Sequence, residues 1–343
     1  MWAKNFRVQT HRTATLNEYV TAIAWSPDGQ ILAASSAAGE IVLWHVTEPF
    51  HTLKLPTQSS VDCLSFSGDG QFIAAGGQDG KLQIWHLPSG ELRTTLENDP
   101  TWIDKLAWSP HRNDIAFSMG KFVQVWNADL QTVVTTFNFE ASSVLDMAWH
   151  PIVQHLAIAG DRGVKIWDGR DWDDDPHILN TPSASQVIAW SGDGKYLASG
   201  NLDRTISVVE WGNSYPWVMR GFPGKIRDLA WSSRPTLLGT PLLAAASAET
   251  IIIWEKQVKP DAGWDGWMLE GHLKFVSAID FYPDTFLLAS ASEDGNVCLW
   301  HDAEQLKQTI EVSQAGVSCL AWQPQGQFLA AGGFEGELQI WKA

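Results

Sequence analysis

Cysteine is scarce in this chain, and the few cysteines argue against a fold held by disulfides or by a zinc ion. Only three occur among 343 residues: Cys63, Cys298 and Cys319. Each lies inside a predicted strand, and none belongs to a CxxC pair, so the sequence indicates neither a disulfide framework nor a zinc knuckle. This usage predicts a reducing environment, and we expect a cytoplasmic protein.

Basic residues and long apolar runs are also in short supply. The 23 Lys and Arg face 39 Asp and Glu, a formal net charge of −16 at pH 7, which repels phosphate backbones. No segment approaches the roughly 18 uninterrupted apolar residues of a membrane span. Residues 1–12 lack the apolar stretch of a secretory signal. We therefore expect no nucleic-acid partner and no membrane insertion.

Sequence motifs of common catalytic, nucleotide-binding and metal-binding sites are missing as well. The chain has no GxSxG elbow, P-loop, HExxH or EF-hand loop, and pairs such as Asp69-Gly70 are turn formers. The histidines that follow predicted strands lack the spacing of metal ligands. The sequence predicts a protein that is not an enzyme and holds no metal or cofactor.

What the chain does contain is a pattern that returns about every 41 residues, within the range typical of radial β-arrays. A short apolar run ends in Trp or Phe, a turn follows, and a second apolar run mostly ends in Trp. Each unit is too small to bury its own apolar faces, so it must stack on its neighbours. The eight pairs are Trp25 and Trp44, Phe66 and Trp85, Trp108 and Trp126, Trp149 and Trp167, Trp190 and Val209, Trp231 and Trp254, Phe281 and Trp300, and Trp322 and Trp341.

The second repeat shows how one unit should fold. Residues 61–66, 71–75, 81–85 and 91–96 have the composition of strands, and residues 81–85 alternate in hydrophobicity. Turn residues such as Asp and Gly separate these segments. This pattern predicts four antiparallel strands per repeat and an all-β chain.

These residues resemble the WD-repeat family of β-propellers over nearly the whole chain. The marker dipeptides survive only as Trp167-Asp168 and Gly271-His272. The resemblance implies one domain over residues 1–343, an eight-bladed propeller of four-stranded antiparallel blades. Because the fifth repeat has Val209 where the others have Trp, seven blades with one atypical unit is the alternative.

Two further features follow from the resemblance. The last repeat stops after its third strand, and residues 8–13 precede the first repeat where a fourth strand belongs, so we expect the N-terminal strand to complete the C-terminal blade. In this family a buried His, Ser, Asp and Trp form a hydrogen-bonded group, and only the seventh repeat matches fully. This structural tetrad comprises His272, Ser290, Asp294 and Trp300.

The family also indicates where partners bind, on a rim formed by the turns between second and third strands and by the residues that lead into first strands. Four large aromatics are expected to face water there, and such rings are enriched at interface hot spots. The alternative is that they pack over neighbouring blades. We call the predicted partner-binding set the aromatic rim: Tyr19, Trp102, Met119, Lys225, Arg227, Phe275 and Phe334.

A second candidate surface lies in connections of repeats four to six, on the opposite rim, where we expect two lengthened connections over residues 232–241 and 256–268. It would dock a basic partner or a cation, unless it is a solvated acidic loop beside rings that cap the blades. We call it the acidic rim: Asp171, Trp172, Asp173, Asp174, Asp175, Trp264 and Trp267.

Together these features predict a non-enzymatic scaffold or adaptor that binds one or more proteins through its rim loops. The alternative is a propeller that binds a small ligand, glycan or metal ion in its central channel or at the acidic rim.

Overall fold

The structure is a computed structural model that describes residues 6–98, 101–139, 143–161, 163–213, 215–259 and 263–343. The described residues form 32 strands in eight four-stranded antiparallel sheets. The fold is an eight-bladed β-propeller, as predicted. The chain divides into two compact units, Ser59–Leu229 and Met1–Gln58 with Ala230–Ala343.

The unit Ser59–Leu229 contains blades two to five, each a meander in chain order. Blade two is β6 Val61–Phe66, β7 Phe72–Gly77, β8 Lys81–His86 and β9 Glu91–Glu97; blade three is β10 Leu106–Trp108, β11 Asp114–Met119, β12 Phe122–Asn127 and β13 Thr132–Asn138; blade four is β14 Asp146–Trp149, β15 His155–Gly160, β16 Gly163–Asp168 and β17 His177–Leu179; blade five is β18 Ser185–Trp190, β19 Tyr196–Asn201, β20 Ile206–Glu210 and β21 Trp217–Met219.

The remaining sheets are blades one, six, seven and eight. Blade one is β2 Val20–Trp25, β3 Ile31–Ser36, β4 Ile41–His45 and β5 Phe50–Lys54; blade six is β22 Ile226–Pro235, β23 Pro241–Ser247, β24 Thr250–Lys256 and β25 Trp264–Leu269; blade seven is β26 Val276–Phe281, β27 Leu288–Ser292, β28 Asn296–His301 and β29 Gln305–Glu311; blade eight is β30 Val317–Trp322, β31 Phe328–Gly333, β32 Glu337–Lys342 and β1 Gln9–Thr15.

The turn between the first two strands of a blade is built by its own side chains. In blade two, Ser67 Oγ donates to Asp69 Oδ1 at 2.7 Å and accepts from the Phe72 backbone N–H at 2.9 Å. Gly70 follows in the left-handed region at φ 70°, where glycine meets no Cβ penalty. The same Ser-to-Asp bond recurs at Ser26 and Ser191, so the repeated turn residues set the hairpin locally.

The anchor rings join consecutive blades within each unit. The indole Nε1 of Trp108 donates to the Ser65 carbonyl at 3.1 Å, and that of Trp149 donates to the Ala107 carbonyl at 3.0 Å. In the other unit, Trp25 Nε1 reaches the Ala321 carbonyl at 3.3 Å. These rings are buried, so they exclude water while their polar edges are satisfied.

The N-terminal strand completes blade eight, as predicted. Strand β1 pairs antiparallel with β32 from Gln9↔Lys342 to Thr15↔Glu337. The Val8 backbone also exchanges two 3.1 Å hydrogen bonds with the Gln308 side chain on blade seven. We call this pairing the clasp. It covers the edge of β32, which would otherwise offer unpaired backbone groups.

Two details differ from the sequence-based expectations. The seven-blade alternative is wrong, because the fifth repeat forms a complete four-stranded sheet. Trp211, directly after β20, packs with its ring centroid 5.3 Å from that of Trp190. The lengthened connections expected over residues 232–241 and 256–268 are partly strand, since β22 extends to Pro235 and β25 begins at Trp264. Of the second segment, residues 260–262 lie outside the described residues.

Candidate functional site

Three rings of the aromatic rim lie in the unit that holds blades one, seven and eight. Tyr19 directly precedes β2, Phe275 directly precedes β26, and Phe334 directly follows β31. Their exposed fractions are 38%, 44% and 38%. Large apolar side chains are usually more buried than this, so these rings are candidate contacts.

A similar backbone hydrogen bond fixes the main chain of each of these three residues. The Tyr19 carbonyl accepts from the Ala37 N–H at 3.0 Å, and the Phe275 carbonyl accepts from the Glu293 N–H at 2.9 Å. Phe334 sits on the other side of such a pair, because its N–H donates to the Gly316 carbonyl at 3.0 Å. These bonds tie the residue leading into each first strand to the turn between second and third strands.

Neighbouring blades bring two of these rings together. The Tyr19 and Phe334 ring centroids lie 6.3 Å apart with the planes at 50°. Gly316 makes room for this, since a Cβ there would meet Phe334 Cδ2 at 2.7 Å. The paired rings form one apolar surface instead of two isolated exposed side chains.

Sequence reasoning missed Leu273, which is 86% exposed in the same unit. Its backbone N–H donates to Asp294 Oδ2 at 2.8 Å, so the tetrad holds this residue outside the core. The sequence feature that could have indicated Leu273 is the Gly271-His272 dipeptide, because a buried tetrad histidine fixes the position of the residue that follows it.

The remaining members of the aromatic rim lie in the unit Ser59–Leu229. Trp102 is 58% exposed beside the fully buried Ile103, whose N–H donates to the Gly77 carbonyl at 3.1 Å. Met119 is half-buried and packs against the cluster that contains Ile103. Lys225 and Arg227 are exposed.

The acidic rim separates into exposed carboxylates and packed rings. Asp171, Asp173, Asp174 and Asp175 are exposed, whereas Trp172 is half-buried, 5.5 Å from Phe137. In the other unit, Trp264 is buried against Trp231, and Trp267 donates its indole N–H to the Ala303 carbonyl at 2.8 Å. The aspartates are therefore more accessible to a partner than the indoles.

The tetrad residues of blade seven form one hydrogen-bonded chain. His272 Nδ1 lies 3.1 Å from Asp294 Oδ2, and His272 Nε2 lies 2.8 Å from Ser290 Oγ. The Trp300 indole N–H donates to the same hydroxyl at 2.8 Å. Burial lowers the pKa of His272, although the Asp294 carboxylate opposes this shift.

The described residues contain no group of three or more His, Cys, Asp or Glu placed to hold a metal ion. They also include no helix whose length and hydropathy would allow it to span a bilayer.

The sequence profile described as "WD domain, G-beta repeat" matches six segments that together cover more than half of the chain: residues 7–45, 47–86, 131–168, 182–210, 265–301 and 304–342. The chain belongs to the WD-repeat family. Most of WD-repeat blades three and six falls outside the matches, yet both have four strands. Family membership generally goes with a role as a protein-interaction scaffold.

Curated WD-repeat relatives match about half of this chain or slightly less. WD repeat-containing protein 1 of Bos taurus is 25% identical over 177 residues, which cover 49% of this chain and 28% of that protein. WD repeat-containing protein 1-B of Xenopus laevis is 22% identical over the same shares. Protein HIR1 of Cryptococcus neoformans is 26% identical over 193 residues, 46% of this chain and 20% of that protein. The match thus spans about a quarter of each relative's length.

Proposed function

We propose that this WD-repeat propeller is a non-enzymatic adaptor that binds one or more partner proteins through the aromatic rim. Its 343 residues would act as one domain, and its three scattered cysteines favour the cytoplasm. The observation that carries the proposal is the exposed Tyr19–Phe334 ring pair, held by backbone hydrogen bonds in two neighbouring blades. A preordered surface loses little conformational entropy on binding.

The charges beside these rings indicate the kind of partner. Glu18 precedes Tyr19, and Glu335 follows Phe334; both are exposed. Lys274, next to Phe275, is the exposed basic neighbour. A segment with an apolar anchor and basic flanking residues would complement this surface, because opposite potentials steer association.

A pull-down from native lysate tests the proposal with a Tyr19→Ala, Phe275→Ala and Phe334→Ala variant. Its matched control removes three exposed apolar side chains outside the rim, Leu55→Ala, Val258→Ala and Leu306→Ala. We expect the rim variant to lose a protein that the control retains, by about tenfold or more for loss of a hot spot. Equal recovery by two variants that melt alike would contradict the proposal.

A further inference from the structure

A cavity of about 450 Å³ opens beside blade four, within the unit Ser59–Leu229. Strands β15, β16 and β17 contribute His155, Asp168 and His177 to its wall. The loop between β16 and β17 contributes Asp174 and Asp175, and Trp211 directly follows β20. The cavity thus combines an indole, two imidazoles and three carboxylates.

Surrounding rings hold the indole of Trp211 in place. Its centroid lies 5.4 Å from that of His155, 5.5 Å from that of His177 and 5.3 Å from that of Trp190. All three neighbours stand nearly perpendicular to it, at 82° to 84°. An aromatic wall fixed before binding costs little ordering entropy and attracts cations through its quadrupole.

The carboxylates of the cavity differ in their pairing. Arg170 binds Asp168 through two nitrogens, with Nε at 2.9 Å from Oδ1 and the terminal Nη2 at 2.5 Å from Oδ2. Asp174 and Asp175 have no ion pair with any other described residue. Two carboxylates therefore remain open to a ligand.

The imidazole of His155 does not cancel this charge. Burial lowers the pKa of His155, which favours the neutral ring near pH 7. Its Nδ1 is shielded from solvent and has no hydrogen-bond partner among the described residues. A neutral imidazole carries one acceptor nitrogen and no charge, so this ring adds no positive charge to the cavity.

We infer that this cavity binds the guanidinium of an arginine presented by a basic segment of a partner protein. A planar guanidinium can stack on Trp211 while its N–H groups reach Asp174 and Asp175, which a compact ammonium does less well. Arg170 already shows this pairing on Asp168. The inference is independent of the aromatic rim, since none of its residues lies there.

Fluorine NMR of protein labelled with 5-fluorotryptophan tests it, with the Trp211 signal assigned from Trp211→Phe. The probes are N-acetyl-arginine methylamide and its neutral citrulline analogue. We expect a saturable shift of the Trp211 signal with the arginine probe and none with the citrulline probe. An Asp174→Asn, Asp175→Asn variant should bind the arginine probe about fivefold more weakly or worse, because two exposed charge pairs are lost.

The matched control is Asp171→Asn with Asp173→Asn, which removes the same charge from the same loop outside the cavity wall. It should change the affinity less than about twofold, since screened charges at a distance contribute little. Absence of saturation, equal binding of citrulline, or equal weakening in both double variants would overturn the inference. If a variant fails to fold, the comparison of the arginine and citrulline probes on the unaltered protein still shows whether the cavity binds a guanidinium.

Discussion

The Ser290 hydroxyl is a hydrogen-bond partner of two other members of the tetrad in blade seven. Its Oγ contacts both His272 Nε2 and the Trp300 indole N–H. Ser290→Ala should lower the free energy of unfolding by about 2 kcal/mol, because it leaves buried polar groups unpaired. Urea unfolding monitored by circular dichroism measures this. A loss below about 0.5 kcal/mol would show that the tetrad contributes little to stability.

Blade eight offers the reciprocal experiment. Ala331 occupies the register position of Ser290, since each lies two residues after the partner of its blade's third-strand Trp. The Nε1 of Trp341 is buried and has no hydrogen-bond partner among the described residues. Ala331→Ser should supply an acceptor and raise the free energy of unfolding by about 1 kcal/mol.

The control for this prediction is Ala330→Ser, on the other face of the same buried strand. That hydroxyl would face a different core cluster from the one that holds Trp341, so it should destabilise the protein by about 1–3 kcal/mol. If both serines destabilise the protein equally, the indole is not the group that needs an acceptor.

The tetrad also predicts a pH dependence. Because burial lowers the pKa of His272, the folded state binds fewer protons than the unfolded state below about pH 6.5. The stabilising contribution is therefore present above that pH and is lost as the pH falls toward the folded-state pKa. Unfolding free energies at pH 7.5 and 5.5 should differ less in His272→Gln than in the unaltered protein. Trp300→Phe, which breaks the tetrad without removing a titratable group, should keep the original difference.

For single residues, the sequence predicted which side chains form the tetrad better than it predicted how buried each side chain is. The tetrad could be named because its four positions match a family pattern. The half-buried state of Met119 and the packed indoles of Trp172 and Trp264 could not, because neighbours distant in sequence decide them. Phe137 and Trp231 are such neighbours.

Among the strands, β1 is the one whose removal we expect to destabilise the fold. It is held by pairing with β32, by the Val8–Gln308 bonds and by the contact of His11 with Phe328 at 5.0 Å. Deleting residues 1–13 should lower the thermal midpoint by about 5 °C or more, which corresponds to a few kcal/mol at this chain length. A peptide of residues 6–15 added in trans should restore part of the loss. An unchanged midpoint would contradict a stabilising role for the clasp.

Strand positions were predictable where the turns are regular. The second repeat folds as expected because Asp69 and Gly70 fix its first hairpin within a few residues. Blade six was harder to predict, since β22 continues to Pro235 before its turn. No side-chain pattern in residues 232–241 marks where pairing ends, because cross-strand partners set that limit.

For the whole molecule, the eight repeats favoured eight blades, and the alternative of seven arose only because the fifth repeat has Val209 where the others have Trp. Stacking repeats bury apolar faces that none could bury alone, so the count of anchor pairs fixes the count of sheets. The partner surface is less predictable, because exposure at a rim depends on how adjacent turns meet. Leu273 and the cavity beside Trp211 became visible only in three dimensions.

The central claim is that the aromatic rim touches a partner protein, and site-specific photo-crosslinking tests it most directly. A benzoylphenylalanine would replace Phe275 or Phe334 in the rim, or Leu306 as an exposed apolar control outside it. Our account predicts that both rim positions form an adduct with the same partner in native lysate and that position 306 does not. Adducts from position 306 alone, or equal adducts from all three positions, would contradict it.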